Sequence, residues 1–284
     1  NKKMLKYFSH TPTFILEPKN GKIVLDTDDF VCYKTESRIA DAPRYSIQRG
    51  FMEIYDFNKI NKIEIRVKET AAPVLLEERE FYSHLNEIKA NLTSISRFNG
   101  FSEYETLWWE ADDENRNLIK DIYRYVKGKT CRLYAFERER TGFIKIKFDS
   151  SAAQKIIIAF DEIQINGEIK ARRSGCNDFI MIDCVSGENN FISAEPYAFK
   201  FLQVISKYPI ECDVSCVTYE NNRLKPISLK SFDKQTENIL EAAKNTFAQN
   251  AVDIFTDCPG RERAGWLCDS YFTAKAELFF TGKN

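Results

Sequence analysis

A chain of 284 residues with 43% apolar and 13% aromatic content is long enough for two domains and apolar enough to build cores. Its formal charge of −1, from 41 basic and 42 acidic residues, excludes the basic field that would draw nucleic acid or an anionic membrane surface. No apolar run reaches the roughly 18 residues of a membrane span, and Asn1-Lys2-Lys3-Met4-Leu5-Lys6 lacks the apolar core of a signal peptide.

From Phe14 to Val67 short apolar runs alternate with turns: Phe14-Ile15-Leu16, Ile23-Val24-Leu25, Phe30-Val31-Cys32-Tyr33 and Ile63-Glu64-Ile65-Arg66-Val67. These predict strands. Apolar residues at 81, 82, 85, 88 and 92 give Glu77–Leu92 a helical spacing that a meandering linker would also fit. The same period over Leu118–Val126, behind Asp112-Asp113 and ending at Gly128, predicts a helix. Of the adjacent pair Trp108-Trp109, one ring is expected in the core, the other at an edge or contact. Glu137-Arg138-Glu139-Arg140 is expected to be a solvated, self-paired charge run.

The β signal is strongest after Gly142. Ile144, Ile146 and Phe148 alternate with lysines, Ile156–Phe160 forms a continuous apolar run, and Asn166-Gly167 predicts a hairpin. Phe179, Met181, Ile182, Phe199, Phe201, Val204, Ile210, Cys212 and Val214 continue at the spacing of a β-sandwich. After Pro226 the period becomes helical. Ser231 or Asp233 can cap a helix with Ile239, Leu240, Ala243 and Phe247 on one face, and a second helix from about Ser270 would bury Phe272, Ala276, Phe279 and Phe280.

Eight cysteines, at 32, 131, 176, 184, 212, 216, 258 and 268, show no framework spacing. In a chain this long they predict reduced thiols and a cytoplasmic home. Cys212 and Cys216 fall on one strand face, where packing outweighs metal binding. With only His10 and His84 the chain has no histidine set for a metal, and a histidine-activated nucleophile has little to use. Neither a metal nor a cofactor is expected.

Between the two predicted helices lies Asp257-Cys258-Pro259-Gly260-Arg261-Glu262-Arg263-Ala264-Gly265-Trp266-Leu267-Cys268-Asp269, a polar loop punctuated by proline and glycine. Three carboxylates and two arginines in so short a segment suit either a structural ion network or a site for a hydroxyl-rich ligand. The pattern Asp257-Cys258-Pro259-x-Arg261-Glu262-Arg263-x-Gly265-Trp266-x-x-Asp269 resembles the signature of the bacterial α-L-rhamnosidases, glycoside hydrolase family seventy-eight. The resemblance is close over the last fifty or so residues and looser before them, although Glu195-Pro196-Tyr197-Ala198-Phe199-Lys200-Phe201 resembles the closing strand of the sandwich before the family's barrel. Cys268 departs from the glycine that many members carry beside Asp269.

The resemblance implies a mainly β chain: an amino-terminal β-rich domain over 1–128 with a linker or helical insert, a β-sandwich over 129–230, and the first hairpin of an (α/α)6 six-hairpin barrel over 231–284. It implies Glu262 as general acid, with Asp257, Arg261, Arg263, Trp266 and Asp269 around the sugar. Arginines beside an acid oppose its protonation, so both are expected to be engaged by Asp257, Asp269 or backbone carbonyls. The family inverts, with a base about 6.5–9.5 Å from the acid; in the family that base lies far downstream, and no residue here is nominated. The expected partner is a rhamnose-containing oligosaccharide or glycoside, with no nucleic acid and no membrane. The other reading is a non-catalytic carbohydrate-binding or interaction β-sandwich module.

Overall fold

The computed structural model describes residues 32–35, 37–39, 42–43, 45–46, 49, 52–59, 62–65, 86–97, 125, 127–164, 169, 172–225 and 233–282. The chain divides into two units, 1–34 with 62–76, and 35–61 with 77–284. In the first, β1 (Cys32–Thr35) pairs with β3 (Lys62–Ile65), as the alternation at Ile63 predicts. The runs at 14–16 and 23–25, the tryptophan pair, most of 118–126 and the Asn166-Gly167 turn lie outside the described residues.

The second unit is built on nine strands: β2 (Ile54–Asp56), β4 (Glu87–Lys89), β5 (Asn91–Arg97), β6 (Thr130–Ser150), β7 (Gln154–Asp161), β10 (Phe179–Cys184), β11 (Gly187–Ile192), β12 (Tyr197–Ser206) and β13 (Glu211–Thr218), with a small pair, β8 (Arg172–Arg173) and β9 (Cys176–Asn177), beside them. The path runs β2-β10-β7-β12-β6-β13-β4, all antiparallel except β2 with β10. The 21-residue β6 serves two ladders. Its Thr130–Ala135 half lies between β5 and β12, and its later half between β11 and β13. At the passage a Cβ on Gly142 would stand 2.3 Å from the Val217 carbonyl oxygen, so only glycine allows β13 this close.

Alternation puts Ile144, Ile146 and Phe148 inward, while β7 and β12, flanked on both sides, bury nearly every side chain. Phe160, Phe199 and Leu202 are among the fully buried residues, each worth about 1.5–3 kcal/mol of transfer free energy. Cys212 and Cys216 face Phe148 and Ile144 across the ladder, and the seven cysteines with described side chains are free thiols. Among the described residues no helix is long and apolar enough to cross a membrane.

Four expectations change. Within the stretch to Leu92 that read as helix or linker, residues 87–89 are a strand and a second strand runs from 91 on to 97: β4 gains order from its ladder with Ser215–Val217 and β5 from β6, while Leu92 and Ile95 stay exposed. The segment read as a closing strand, β12, is internal, hydrogen-bonded to β7 on one side and β6 on the other. The charge run is not self-paired. Where β12 shifts register against β6, between Phe199 and Phe201, Arg138 and the buried Arg140 both reach Glu220, at 3.6 and 3.4 Å.

The fourth concerns the helices α1 (Lys234–Asn250) and α2 (Leu267–Thr281). Asp233 caps α1, its carboxylate accepting from the Thr236 N–H at 2.8 Å, a cap worth about 1 kcal/mol. Yet of the apolar residues expected inside, only Phe247 and Phe280 are buried, against each other with ring centroids 5.4 Å apart. Ile239, Phe272 and Phe279 are more than half exposed. The pair meets the segment leaving β13 through the Asn221 and Lys225 N–H groups, which donate to Ala248 and Phe280 carbonyls, and this narrow attachment covers only one end of each helix. In the 284-residue chain, amide hydrogens of α2 are therefore expected to exchange at least about 100-fold faster than those of β7 and β12. Equal protection in hydrogen-exchange mass spectrometry would contradict this packing.

Candidate active site

The polar loop hangs between the two helices and is closed on itself. Thr256, buried, donates from its N–H to the Asn250 carbonyl at 2.8 Å and ends the turn after α1. Asp257 then makes a two-way clasp: its N–H donates to the Ala264 carbonyl at 3.0 Å, and its Oδ1 accepts from the Ala264 N–H at 2.9 Å. Inside the clasp the Cys258 thiol donates to Asp257 Oδ2 at 3.5 Å and accepts from the Glu262 N–H at 3.3 Å. Arg263 holds a left-handed backbone, φ 50°, which non-glycine residues adopt only when surrounding contacts impose it.

Glu262 is the hub. One carboxylate oxygen pairs with Arg261 at 2.8 Å, the other accepts from the Trp266 indole N–H at 3.0 Å, and the carboxyl also hydrogen-bonds Asp257. Burial alone would push Asp257 up; hydrogen bonds from Glu262, the Ala264 N–H and Cys258 reverse the sign and hold it below the usual carboxylate range. The structure thus brings Asp257, Arg261, Glu262 and Trp266 together. Asp269 sits apart, exposed in the first turn of α2, where the helix dipole favours a negative charge.

The arginines divide. Arg263 behaves as expected, donating to a backbone carbonyl, that of Pro196, at 3.0 Å; burial and the nearby Arg49 charge hold its guanidinium below the ordinary value. Arg261 instead pairs with Glu262 itself, and with its side chain 50% exposed that ion pair is weak and easily exchanged.

Sequence reasoning missed the groups that seat this loop on the sandwich. Arg49, 7% exposed, donates to the Gly260 carbonyl at 2.9 Å and to Glu195 Oε2 at 2.9 Å, its guanidinium lying over the Tyr45 and Tyr197 rings. Glu53, fully buried, accepts from the Ala194 and Glu195 N–H groups and from the Tyr55 and Tyr197 hydroxyls at 2.6–3.0 Å. Both stand in an irregular stretch with no periodic pattern to mark it.

Behind the loop is a half-open cavity of about 210 Å³ whose lining includes Asp161, Glu162, Arg173, Asp178, Gly260 and Arg261, but not Glu262, Trp266 or Asp269. Burial, then Asp161 and Glu162, push Asp178 up to about 8, against the Tyr45 hydroxyl and Arg173, which pull it down. The raised value means that the folded state keeps a proton which the unfolded chain releases near pH 4. Stability from this group is present below that value and falls with rising pH, by about 1.4 kcal/mol per unit, until about pH 8. Asp178→Asn keeps an acceptor for Tyr45 and removes this slope, so its melting temperature should exceed that of the parent at pH 8 and match it near pH 4. A parent whose melting temperature is flat over this range, or a variant that falls as steeply, would refute the assignment.

Residues 227–284 match the family model of the bacterial alpha-L-rhamnosidase six-hairpin glycosidase domain, so the resemblance carried by the motif is shown for this segment. No curated protein sequence matches the chain. Among solved structures, the chain is similar to the GH78 family rhamnosidase of Bacillus sp. GL1, at 20% identity and TM-score 0.51, covering 55% of this chain and 17% of that one. It is also similar to the alpha-L-rhamnosidase from Dictyoglumus thermophilum, at 18% identity and TM-score 0.54, covering 80% of this chain and 25% of that one. At these identities the likeness is one of fold, a mainly β chain leading into the start of a six-hairpin domain. The chain spans a quarter or less of the length of these two structures.

Proposed function

We propose that the loop is the proton-donating half of an inverting α-L-rhamnosidase site, acting on terminal α-L-rhamnose of a glycoside or oligosaccharide. The observation that carries the reading is the convergence of Asp257, Arg261 and Trp266 on the Glu262 carboxyl, inside the segment that matches the six-hairpin glycosidase domain. Glu262 is the general acid, donating its proton to the glycosidic oxygen as the bond breaks. Arg261, its side chain half exposed, can leave the acid when sugar enters.

Trp266, 53% exposed and tied to the acid through its indole N–H, offers its face to the ring. Asp257 and Asp269 accept sugar hydroxyls, although both Asp257 oxygens already accept from the loop, Oδ1 from the Ala264 N–H and Oδ2 from the Cys258 thiol, so its remaining lone pairs take the sugar. Arg263, grouped with the sugar ligands in sequence, also anchors the loop through its donation to the Pro196 carbonyl. The base that activates water is not nominated among these residues. In this reading 231–284 opens the barrel behind a β-rich part formed by 1–128 and 129–230. The exposed faces of Trp266, Leu267, Tyr271, Phe272 and Phe279 await the other barrel helices. Free thiols support a cytoplasmic setting.

The test is hydrolysis of p-nitrophenyl α-L-rhamnoside by the full-length protein, followed by proton NMR. Release of rhamnose as the β-anomer first is expected. No release would reject the activity, and α-anomer first would reject inversion.

A further inference from the structure

We infer that Arg49 is a positioning residue for the acid Glu262, fixing the loop's height above the sandwich from the far end of the sequence; the inference rests on the function proposed above. Glu262 lies between two anchored neighbours. Two residues before it, the Gly260 carbonyl accepts from Arg49 Nη1 at 2.9 Å; one residue after it, Arg263 donates to the Pro196 carbonyl at 3.0 Å. Both anchors lead to the same dipeptide, because Arg49 Nη2 also donates to Glu195 Oε2 at 2.9 Å and to the Pro196 carbonyl at 3.5 Å. Glu195 is in turn held by its N–H donation to the buried Glu53 at 3.0 Å.

The guanidinium suits this task because its plane is fixed. It lies 4.4 Å from the Tyr45 ring centroid and 5.3 Å from that of Tyr197, so its donors leave in set directions toward Gly260 and Glu195. Burial disfavours the charge, but Tyr45, Glu195 and Tyr197 outweigh it, and the group is held above its ordinary value. The clasp between Asp257 and Ala264 closes the loop without Arg49, and the Arg263 contact remains on its own strand end. Loss of Arg49 therefore frees the 258–262 side of the loop while leaving its closure intact. Glu262 would then stand off the leaving oxygen, an error felt only where the leaving group needs a proton.

Arg49→Lys and Arg49→Met are made in the full-length protein and assayed on phenyl and p-nitrophenyl α-L-rhamnoside, with unfolding followed in parallel. Lysine keeps a charge for Glu195 but cannot serve Glu195 and Gly260 from one rigid plane. The expected result for Arg49→Lys is a fall in kcat of about 10- to 100-fold on the phenyl substrate and under about 3-fold on the p-nitrophenyl one, with KM little changed. Arg49→Met should go further in the same direction; if it does not fold, the lysine variant decides. Equal losses on the two substrates, or a change in KM alone, would overturn the positioning role while leaving the proposed function standing. A parent protein inactive on both substrates would overturn the proposed function and this inference with it.

Discussion

Glu262→Gln in the full-length protein should lower turnover of phenyl α-L-rhamnoside by about 10²–10⁴-fold while leaving p-nitrophenyl α-L-rhamnoside within about 10-fold of the parent. Phenoxide is a poor leaving group and must be protonated as it departs; p-nitrophenoxide can leave as the anion. The substitution is close to isosteric. A glutamine side-chain oxygen can still accept from the Trp266 indole N–H, which in the parent donates to Glu262 at 3.0 Å, so the loop keeps its shape while the transferable proton and the weak, exposed Arg261 ion pair are lost. Equal losses on the two substrates would remove Glu262 from the acid role and leave it as a sugar ligand or a structural member of the loop.

The largest stability effect is expected from Glu53→Ala. This carboxylate is fully buried and accepts from the Ala194 N–H at 2.9 Å, the Glu195 N–H at 3.0 Å, the Tyr197 hydroxyl at 2.9 Å and the Tyr55 hydroxyl at 2.6 Å. Alanine leaves those donors without an acceptor in a site that water reaches poorly, at a cost of about 3–5 kcal/mol, or a fall of roughly 10 °C in melting temperature. Glu53→Gln, which retains an acceptor oxygen, should lose about half as much. Chemical denaturation would measure both, and a loss under about 1 kcal/mol for alanine would mean that the donors find other partners. The damage should reach the loop, because Glu195 and Pro196, held by Glu53, receive Arg49 and Arg263.

The legible parts of this molecule are those whose partners are near in sequence or whose pattern follows from burial. Ile144, Ile146 and Phe148 alternate because one face of β6 is inside, and Ile156–Phe160 is continuously apolar because both faces of β7 are buried. The motif could be read because Asp257, Arg261, Glu262 and Trp266 are neighbours in the chain as well as in space. β4 and β5 were hidden for the opposite reason: their order comes from backbone ladders with distant strands, and exposed Leu92 and Ile95 imitate an inward pattern they do not follow. The helices mislead in the same way, since Ile239 and Phe272 are apolar but face outward.

The seating of the loop was illegible because its contacts are long-range. Arg49 reaches Gly260 across 211 positions, and Glu53 reaches Tyr197 across 144, from a stretch without helix or strand period. Arg140 looked like one of four alternating surface charges; a three-residue register shift against β12 turns it inward to Glu220. No spacing rule anticipates a slip of that kind, which depends on both strands at once.

The central claim is that sugar binds where Glu262 and Trp266 meet, and a fluorine label reports it most directly. In full-length protein labelled with 5-fluorotryptophan, the Trp266 resonance is assigned by its loss in Trp266→Phe, and L-rhamnose is titrated in. A saturable shift of that resonance, altered in Glu262→Gln because the indole N–H donates to Glu262, is the predicted result. A Trp266 resonance that stays in place while the same protein hydrolyses a rhamnoside would contradict it, and would put the sugar elsewhere than this loop.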